Sequence, residues 1–198
     1  DPRQSIYGWR GSDIKYILDF EDKFPGGEII HLVKNYRSHK KIVELMNHSI
    51  KGMKFPDLEH HHEHEAKLEL REFNNEEEEA NFIISEIEKS TSKRNEIFIL
   101  ARTNRQLREF SEKLKQSEIK HVLKTDDQIR KSPEARESEV VLATVHSIKG
   151  LEAKEVYLMG ATEKNFPCRA SDHPVIEMIK MENYDKDDEE LRLFYVAI

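Results

Sequence analysis

Asp1-Pro2-Arg3-Gln4-Ser5-Ile6-Tyr7-Gly8-Trp9-Arg10-Gly11 sets an acid, an amide, two aromatic rings and arginine on one short segment punctuated by glycine. An amide such as Gln4 can sense a phosphate, the faces of Tyr7 and Trp9 can stack on unpaired bases, and Arg10 can hold a phosphate or a ring. Stacking of this kind is worth about 1–3 kcal/mol per base. Trp9 is the only tryptophan in the chain. One run therefore carries the groups to touch both a nucleotide and a nucleic-acid strand. Alone, Trp9 reads first as a core anchor, since tryptophans are mostly buried, and the flanking glycines and adjacent arginine turn the reading towards stacking.

Three other runs invite the same scrutiny. Asn35-Tyr36-Arg37-Ser38 pairs a ring with a guanidinium, and also reads as a capped turn with a surface arginine. Thr144-Val145-His146-Ser147-Ile148-Lys149-Gly150-Leu151-Glu152 follows an apolar stretch, where His146 is either a ligand-edge residue or a satisfied structural histidine. Lys149-Gly150 has the look of the end of a phosphate loop, but the upstream spacing G-x-x-x-x-G-K-[ST] is missing and the chain holds no such sequence. The tract His60-His61-His62-Glu63-His64 suggests metal at first sight; lacking a second ligand set at helical spacing, it reads as a solvated loop, and no metal site is expected. Cys168 has no neighbour suited to nucleophilic work.

These residues need elements to hold them. Ser12 is placed to cap a helix with Ile14, Ile17 and Leu18, stopped by Pro25-Gly26-Gly27. Residues 28–33 read as a strand, and Ser38 as the cap of a helix with Ile42, Leu45, Met46 and Ile50, which puts 35–38 at a strand-to-helix junction. Residues 51–66 look irregular, and 67–73 alternate like a strand. Asn75 with Glu78 three residues on signals a helix start, followed by Ala80, Ile83, Ile84 and Ile87 on one face. Residues 97–101, 119–123, 140–145 and 156–159 read as strands, with a helix opened by Thr103 or Asn104 and a last helix from Leu191. Arg102 and Asn104 then follow one buried strand, and His146 another, at the strand ends where open α/β sheets collect ligands. Alternating strands and helices predict a mostly parallel α/β sheet covered on both faces.

The chain has 198 residues, 37% hydrophobic and 36% charged, with a formal charge of 32 − 39 = −7. That balance excludes a uniformly basic nucleic-acid binder and leaves contact to a local cluster. A single cysteine excludes an intramolecular disulfide framework and points to a reducing compartment. No apolar run approaches a membrane span, and no membrane partner is expected. Because it opens on Asp1-Pro2, the chain is read as a piece of a longer polypeptide.

Taken in order, four runs resemble the motifs of the UvrD/Rep/PcrA-type superfamily 1 DNA helicases: 1–11 motif III, 35–38 motif IV, 144–152 motif V, and 189–198, Glu-Glu-Leu-Arg-Leu-Phe-Tyr-Val-Ala-Ile, the first part of motif VI. Departures are small: Ile148 stands where a small residue is usual, and Leu191 where a second arginine often sits. The resemblance implies a three-layer RecA-like (P-loop NTPase-like) α/β domain with a mostly parallel sheet. Residues 1–198 would be the second RecA-like motor domain, without the helical subdomain that large members insert. The short charged segment 124–139 leaves no room for that insertion.

The resemblance further implies that ATP and Mg²⁺ are bound mainly by an N-terminal RecA-like domain of the same protein. On this side Gln4 and Arg37 would be the catalytic, γ-phosphate-sensing residues, Tyr36 would stack on the base and Glu152 lie near the ribose. Tyr7, Trp9, Arg10, Arg102, Asn104, Thr144, His146 and Lys149 would line a track for single-stranded DNA. The implied activity is ATP-dependent, 3′ to 5′ DNA unwinding in the cytoplasm, at the nucleoid. The family pattern continues with Thr-Arg after motif VI and places an Asp-Glu pair before motif III, so the piece alone is not expected to hydrolyse ATP. Two rivals share these motifs: a non-catalytic nucleic-acid-binding or scaffolding domain derived from a helicase, and the helicase arm of a helicase–nuclease complex.

Overall fold

A computed structural model describes residues 1–53, 55–64, 66–124, 135–166, 168 and 185–198, apart from the Trp9 side chain. The chain divides into two compact units, one holding Asp1–Leu70 and most of the C-terminal helix, the other Arg71–Cys168.

The second unit is a parallel sheet in the order β4-β5-β3-β6, formed by β3 (Ile97–Ala101), β4 (His121–Lys124), β5 (Val140–Thr144) and β6 (Glu155–Leu158). Every residue of β3 and β5 is buried, as expected of central parallel strands shielded on both faces. Helices α4 (Glu76–Lys89) and α5 (Asn104–Gln116) bring Ala80, Ile83, Ile87, Leu107, Phe110 and Leu114 against the alternate residues Ile97, Ile99, Ala101, Val140 and Leu142.

Both helices start where their caps dictate. Asn75 Oδ1 accepts from the backbone N–H of Glu77 and Glu78, at 3.0 and 2.9 Å, and four glutamates in the first turn meet the positive end of the helix dipole. Thr103 and Gln106 form a reciprocal capping box at the start of α5. The expected strands at 119–123 and 156–159 are present, shifted by one or two residues.

The first unit contains two single helical turns, α1 (Lys15–Leu18) and α2 (Phe20–Lys23), then β1 (Lys34–His39), α3 (Lys40–Ser49), β2 (Glu59–His62) and α6 (Lys186–Ala197). β1 and β2 pair in parallel, with Lys34 opposite Glu59, Asn35 opposite His60 and His39 opposite His62. Met46 of α3 and Ile50, just after that helix, pack with Tyr195 of α6. The Asn47 amide doubles as a backbone link, donating to Leu58 O and accepting from Leu58 N, both at 2.9 Å.

Several sequence expectations fail in this unit. Residues 28–33 are not a strand, and Leu32 is 89% exposed. The ladder begins at Lys34 because the available partner, β2, is only Glu59–His62. The Asn35–Ser38 run therefore lies inside a strand, and His39, not Ser38, precedes the helix. Asp13 rather than Ser12 supports α1, its Oδ1 accepting from Lys15 N at 2.8 Å. The tract at 60–62 is strand rather than solvated loop, since its backbone completes β1. Residues 67–73 form no strand and join no sheet ladder among the described residues, and Leu70 is 97% exposed. The last helix begins at Lys186, capped by Asp185, ahead of Leu191. Most of the segment 124–139 lies outside the described residues.

Candidate functional site

In the second unit the parallel strands end together on one rim. β3 leads into Arg102, Thr103 and Asn104, and β5 into Val145, His146 and Ser147. The register Ala101 opposite Thr144, with Val145 N bonded to Ala101 O at 3.2 Å, sets these two exits side by side. Arg102, Asn104, Thr144 and His146 are thereby gathered, while Lys149 and Glu152 follow in the same loop.

That loop has a physical origin. Ser147 N donates to Thr144 Oγ1 at 3.3 Å, and Ser147 Oγ donates to Thr144 O at 2.9 Å. Thr144 is buried, so its hydroxyl shapes the turn that carries His146. A second turn, closed by Leu151 N to Ile148 O at 2.8 Å, passes through Gly150 at φ +87, a conformation costly for other residues. It leaves Lys149 and Glu152 exposed. At the end of β6, Gly160 N donates to Glu79 Oε1 at 2.8 Å, and a Cβ at Gly160 would meet the Gln106 and Asn165 amides. Asn104 Oδ1 is buried without a hydrogen-bond partner among the described residues.

The opposite rim of the same sheet is closed on itself. Lys93 pairs with Glu137 at 2.7 Å and Lys154 with Glu96 at 2.9 Å. The Lys154 hydrogen bond holds the Glu96 carboxyl below its ordinary value, and the Glu137 hydrogen bond raises the Lys93 ammonium. Glu155 accepts from the hydroxyls of Ser90, Ser92 and Tyr157. Burial pushes its carboxyl up, but those hydroxyls and the Arg94 charge outweigh burial and leave it below the ordinary value.

In the first unit the opening segment is built by the last helix. Asp1 caps a short turn at Pro2–Gln4, its carboxylate accepting from Arg3 N at 3.0 Å and Arg3 Nε at 2.9 Å. Gln4 Nε2 lies 3.4 Å from Asp1 Oδ2. Ile6 is fully buried. From α6, Glu189 Oε2 accepts from Gly8 N at 2.7 Å, and Arg192 Nε donates to Ser5 O at 2.7 Å. The Arg3 guanidinium sits 5.9 Å from the Tyr195 ring centroid. These bonds join residues more than 180 apart in sequence (|i−j| of 181 and 187). They hold the Gly8–Arg10 turn, where the Arg10 guanidinium stands 5.0 Å from the Tyr7 ring centroid. Burial pushes the Tyr195 hydroxyl up, against the lowering effect of Arg3.

Along β1, Asn35 Oδ1 accepts from Arg37 N and Ser38 N, both at 2.9 Å. Tyr36 and Arg37 are exposed. Gln4, Tyr36 and Arg37 thus belong to the first unit and Glu152 to the second. Sequence reasoning missed Arg3, Glu189, Arg192 and Ser147, all buried polar residues that position the runs it singled out. The available signals were weak: charges at i and i+3 beside Leu193 and Tyr195 on one helix, and a threonine three residues before a serine at a strand end.

No group of three or more His, Cys, Asp or Glu that could hold a metal occurs among the described residues. No helix among them is long and apolar enough to cross a membrane.

A parallel α/β unit with a polar rim at its strand ends is an architecture in which ligands collect at that rim. The model of the UvrD-like helicase C-terminal domain matches residues 30–130 and 123–198, and the chain belongs to that family. It is 38% identical over 129 residues to the ATP-dependent DNA helicase PcrA of Staphylococcus epidermidis, and 37% identical over 129 residues to that of Staphylococcus aureus. In both cases the match covers 62% of this chain and 18% of the relative. The chain thus spans less than a fifth of the length of the relatives it matches. The expected RecA-like α/β class stands.

Proposed function

We propose that this chain serves as the second RecA-like motor domain of an ATP-dependent DNA helicase, working with an N-terminal RecA-like domain of the same protein. ATP with Mg²⁺ supplies the phosphoryl bond whose cleavage drives movement. Gln4 and Arg37 sense the γ-phosphate, Tyr36 stacks on the base and Glu152 contacts the ribose. The exposed Arg37 suits that task, because a planar guanidinium on a strand whose N–H groups Asn35 already satisfies can face charge growing on a phosphoryl oxygen. The metal would draw its ligands mainly from the N-terminal domain. We place the protein in the cytoplasm with DNA, moving 3′ to 5′ along one strand.

The observation that carries this reading is the gathering of Arg102, Asn104 and His146 at one strand-end rim, with Lys149 in the loop beyond, in a chain of helicase family. Cations, an amide and an imidazole there can follow a phosphate backbone and the edges of unpaired bases. The segment with Tyr7, Trp9 and Arg10 adds stacking faces and a cation, and its attachment to α6 through Glu189 and Arg192 ties it to the motif VI run. Energy is converted by differential binding of the strand in two nucleotide states, so both motor domains are needed.

DNA-stimulated ATP hydrolysis by the full-length protein tests the assignment. Arg37→Ala is expected to lower turnover by at least about a hundredfold, as loss of a phosphate-facing arginine does, with single-strand affinity kept. Near-normal turnover in Arg37→Ala removes Arg37 from the role.

A further inference from the structure

The bulge in the first unit's sheet leads to a ladder of rings. Because Asn35 pairs with His60 and His39 with His62, His61 alone faces the stretch Tyr36, Arg37 and Ser38. The backbone N–H groups of Arg37 and Ser38 turn to Asn35 Oδ1 instead of to a ladder partner. Bulges bend a strand and re-aim its side chains.

Here the rings of Tyr36 and His61 have centroids 4.8 Å apart, those of His61 and His62 5.3 Å, and those of His62 and His39 5.4 Å. All three pairs are tilted, the arrangement that ring quadrupoles favour. His62 Nε2 donates to Tyr36 O at 2.8 Å, tying the ladder to the strand. Tyr36, at the solvent end, is still 63% exposed. Lys34, two residues earlier on the same side of the strand, holds its ammonium 5.5 Å from that ring.

A core ladder would end in buried rings. This one ends in an exposed phenol with the Lys34 ammonium beside it. A ring already held by a neighbour loses less rotamer freedom when a second planar group lands on it. The chemistry that fits is a flat heteroaromatic ring bearing an anionic tail, which is the chemistry of a nucleotide.

We propose that His61 is a positioning residue for the nucleotide base: it backs the Tyr36 ring and holds it in the orientation that stacks on the base. This rests on the reading of Tyr36 as the base-stacking residue. His61 is the informative position because its ring meets the Tyr36 and His62 rings, whereas the His62 ring also holds backbone.

The test compares two competitive inhibitors of ATP hydrolysis by the full-length protein: ADP, which carries a base, and inorganic tripolyphosphate, which does not. His61→Ala is expected to weaken ADP inhibition about threefold to tenfold, the loss set by one aromatic contact, and to raise the KM for ATP similarly. Tripolyphosphate inhibition and kcat should stay within about twofold. His61→Phe should restore ADP inhibition, since a flat ring is what the position supplies. Equal ADP inhibition in wild type and His61→Ala overturns the proposal. So does parallel weakening of ADP and tripolyphosphate, which reports general damage, or failure of His61→Phe to restore. Tyr36→Ala separates the two levels. If it leaves ADP inhibition unchanged, the base-stacking reading itself falls and the proposal with it; if it weakens ADP while His61→Ala does not, only the role of His61 falls.

Discussion

Two buried charges of this chain, Glu189 and Arg192, hold backbone groups. Glu189 accepts from Gly8 N, and Arg192 donates to Ser5 O; truncating either leaves a buried polar group unmatched, which costs more than the net worth of the bond. Glu155 is a different case, a carboxylate held by three hydroxyls between the end of α4 and the start of β6. Its carboxyl lies below the ordinary value of 4.5 because the hydroxyl and Arg94 contributions exceed the opposing effect of burial. A carboxyl lowered on folding stabilises the native state fully above its unfolded value, and that contribution is lost as pH falls through the folded value. Glu155→Gln should therefore melt below wild type at pH 7, and the gap should narrow as pH falls below 4.5 towards about pH 3. Thermal unfolding of both proteins at the two pH values measures this; a gap as wide at pH 3 as at pH 7 would mean that the ionised carboxylate contributes nothing.

Between the caps and the strands the sequence was unevenly legible. Helices α4 and α5 could be read because Asn75 and Thr103 announce themselves through local bonds to residues two or three positions on. Replacing Thr103 by Ala removes one half of the capping box and should lower unfolding stability by about 1 kcal/mol, while Ser keeps most of it. Chemical denaturation midpoints decide the matter, and equal midpoints for Ala and wild type would show the cap to be idle. The central strands β3 and β5 were equally plain, as continuous apolar runs. β1 and β2 were not, because they are polar: Lys34–His39 and Glu59–His62 contain no aliphatic residue, and their pairing depends on a partner distant in sequence. The apolar stretch 28–33 misled for the same reason, since side-chain type does not say which strand will be available. The candidate site followed this pattern. Residues after β3 and β5 could be placed from the strand ends, while the ring ladder on β1 and the buried anchors on α6 arise only from long-range contacts.

At the scale of the whole chain, a net charge of −7 must be reconciled with the proposed binding to a polyanion. Distribution does this within the sheet unit. Lys93 and Lys154 on the strand-start rim pair with Glu137 and Glu96, at 2.7 and 2.9 Å, and the strand-end rim carries Arg102 and His146, with Lys149 exposed in its loop. Each phosphate neutralised by a cation releases counterions, so affinity for single strands falls with salt by about 0.7 log units per log unit of salt for each contact. Lys149→Ala and Arg102→Ala in the full-length protein should each weaken single-strand binding and reduce that slope by about 0.7, largely without regard to sequence. Lys93→Ala, which removes a cation from the opposite rim, should leave the slope where it was, although it breaks an ion pair. Titrations of a labelled oligonucleotide across a salt series provide the slopes. If Lys93→Ala lowered the slope as much as Lys149→Ala, the response would reflect total charge and the strand-end rim would lose its claim to the DNA. A slope lowered at Lys149 and Arg102 alone would mean that an acidic chain binds its strand through a local arrangement of charge, against its own net repulsion.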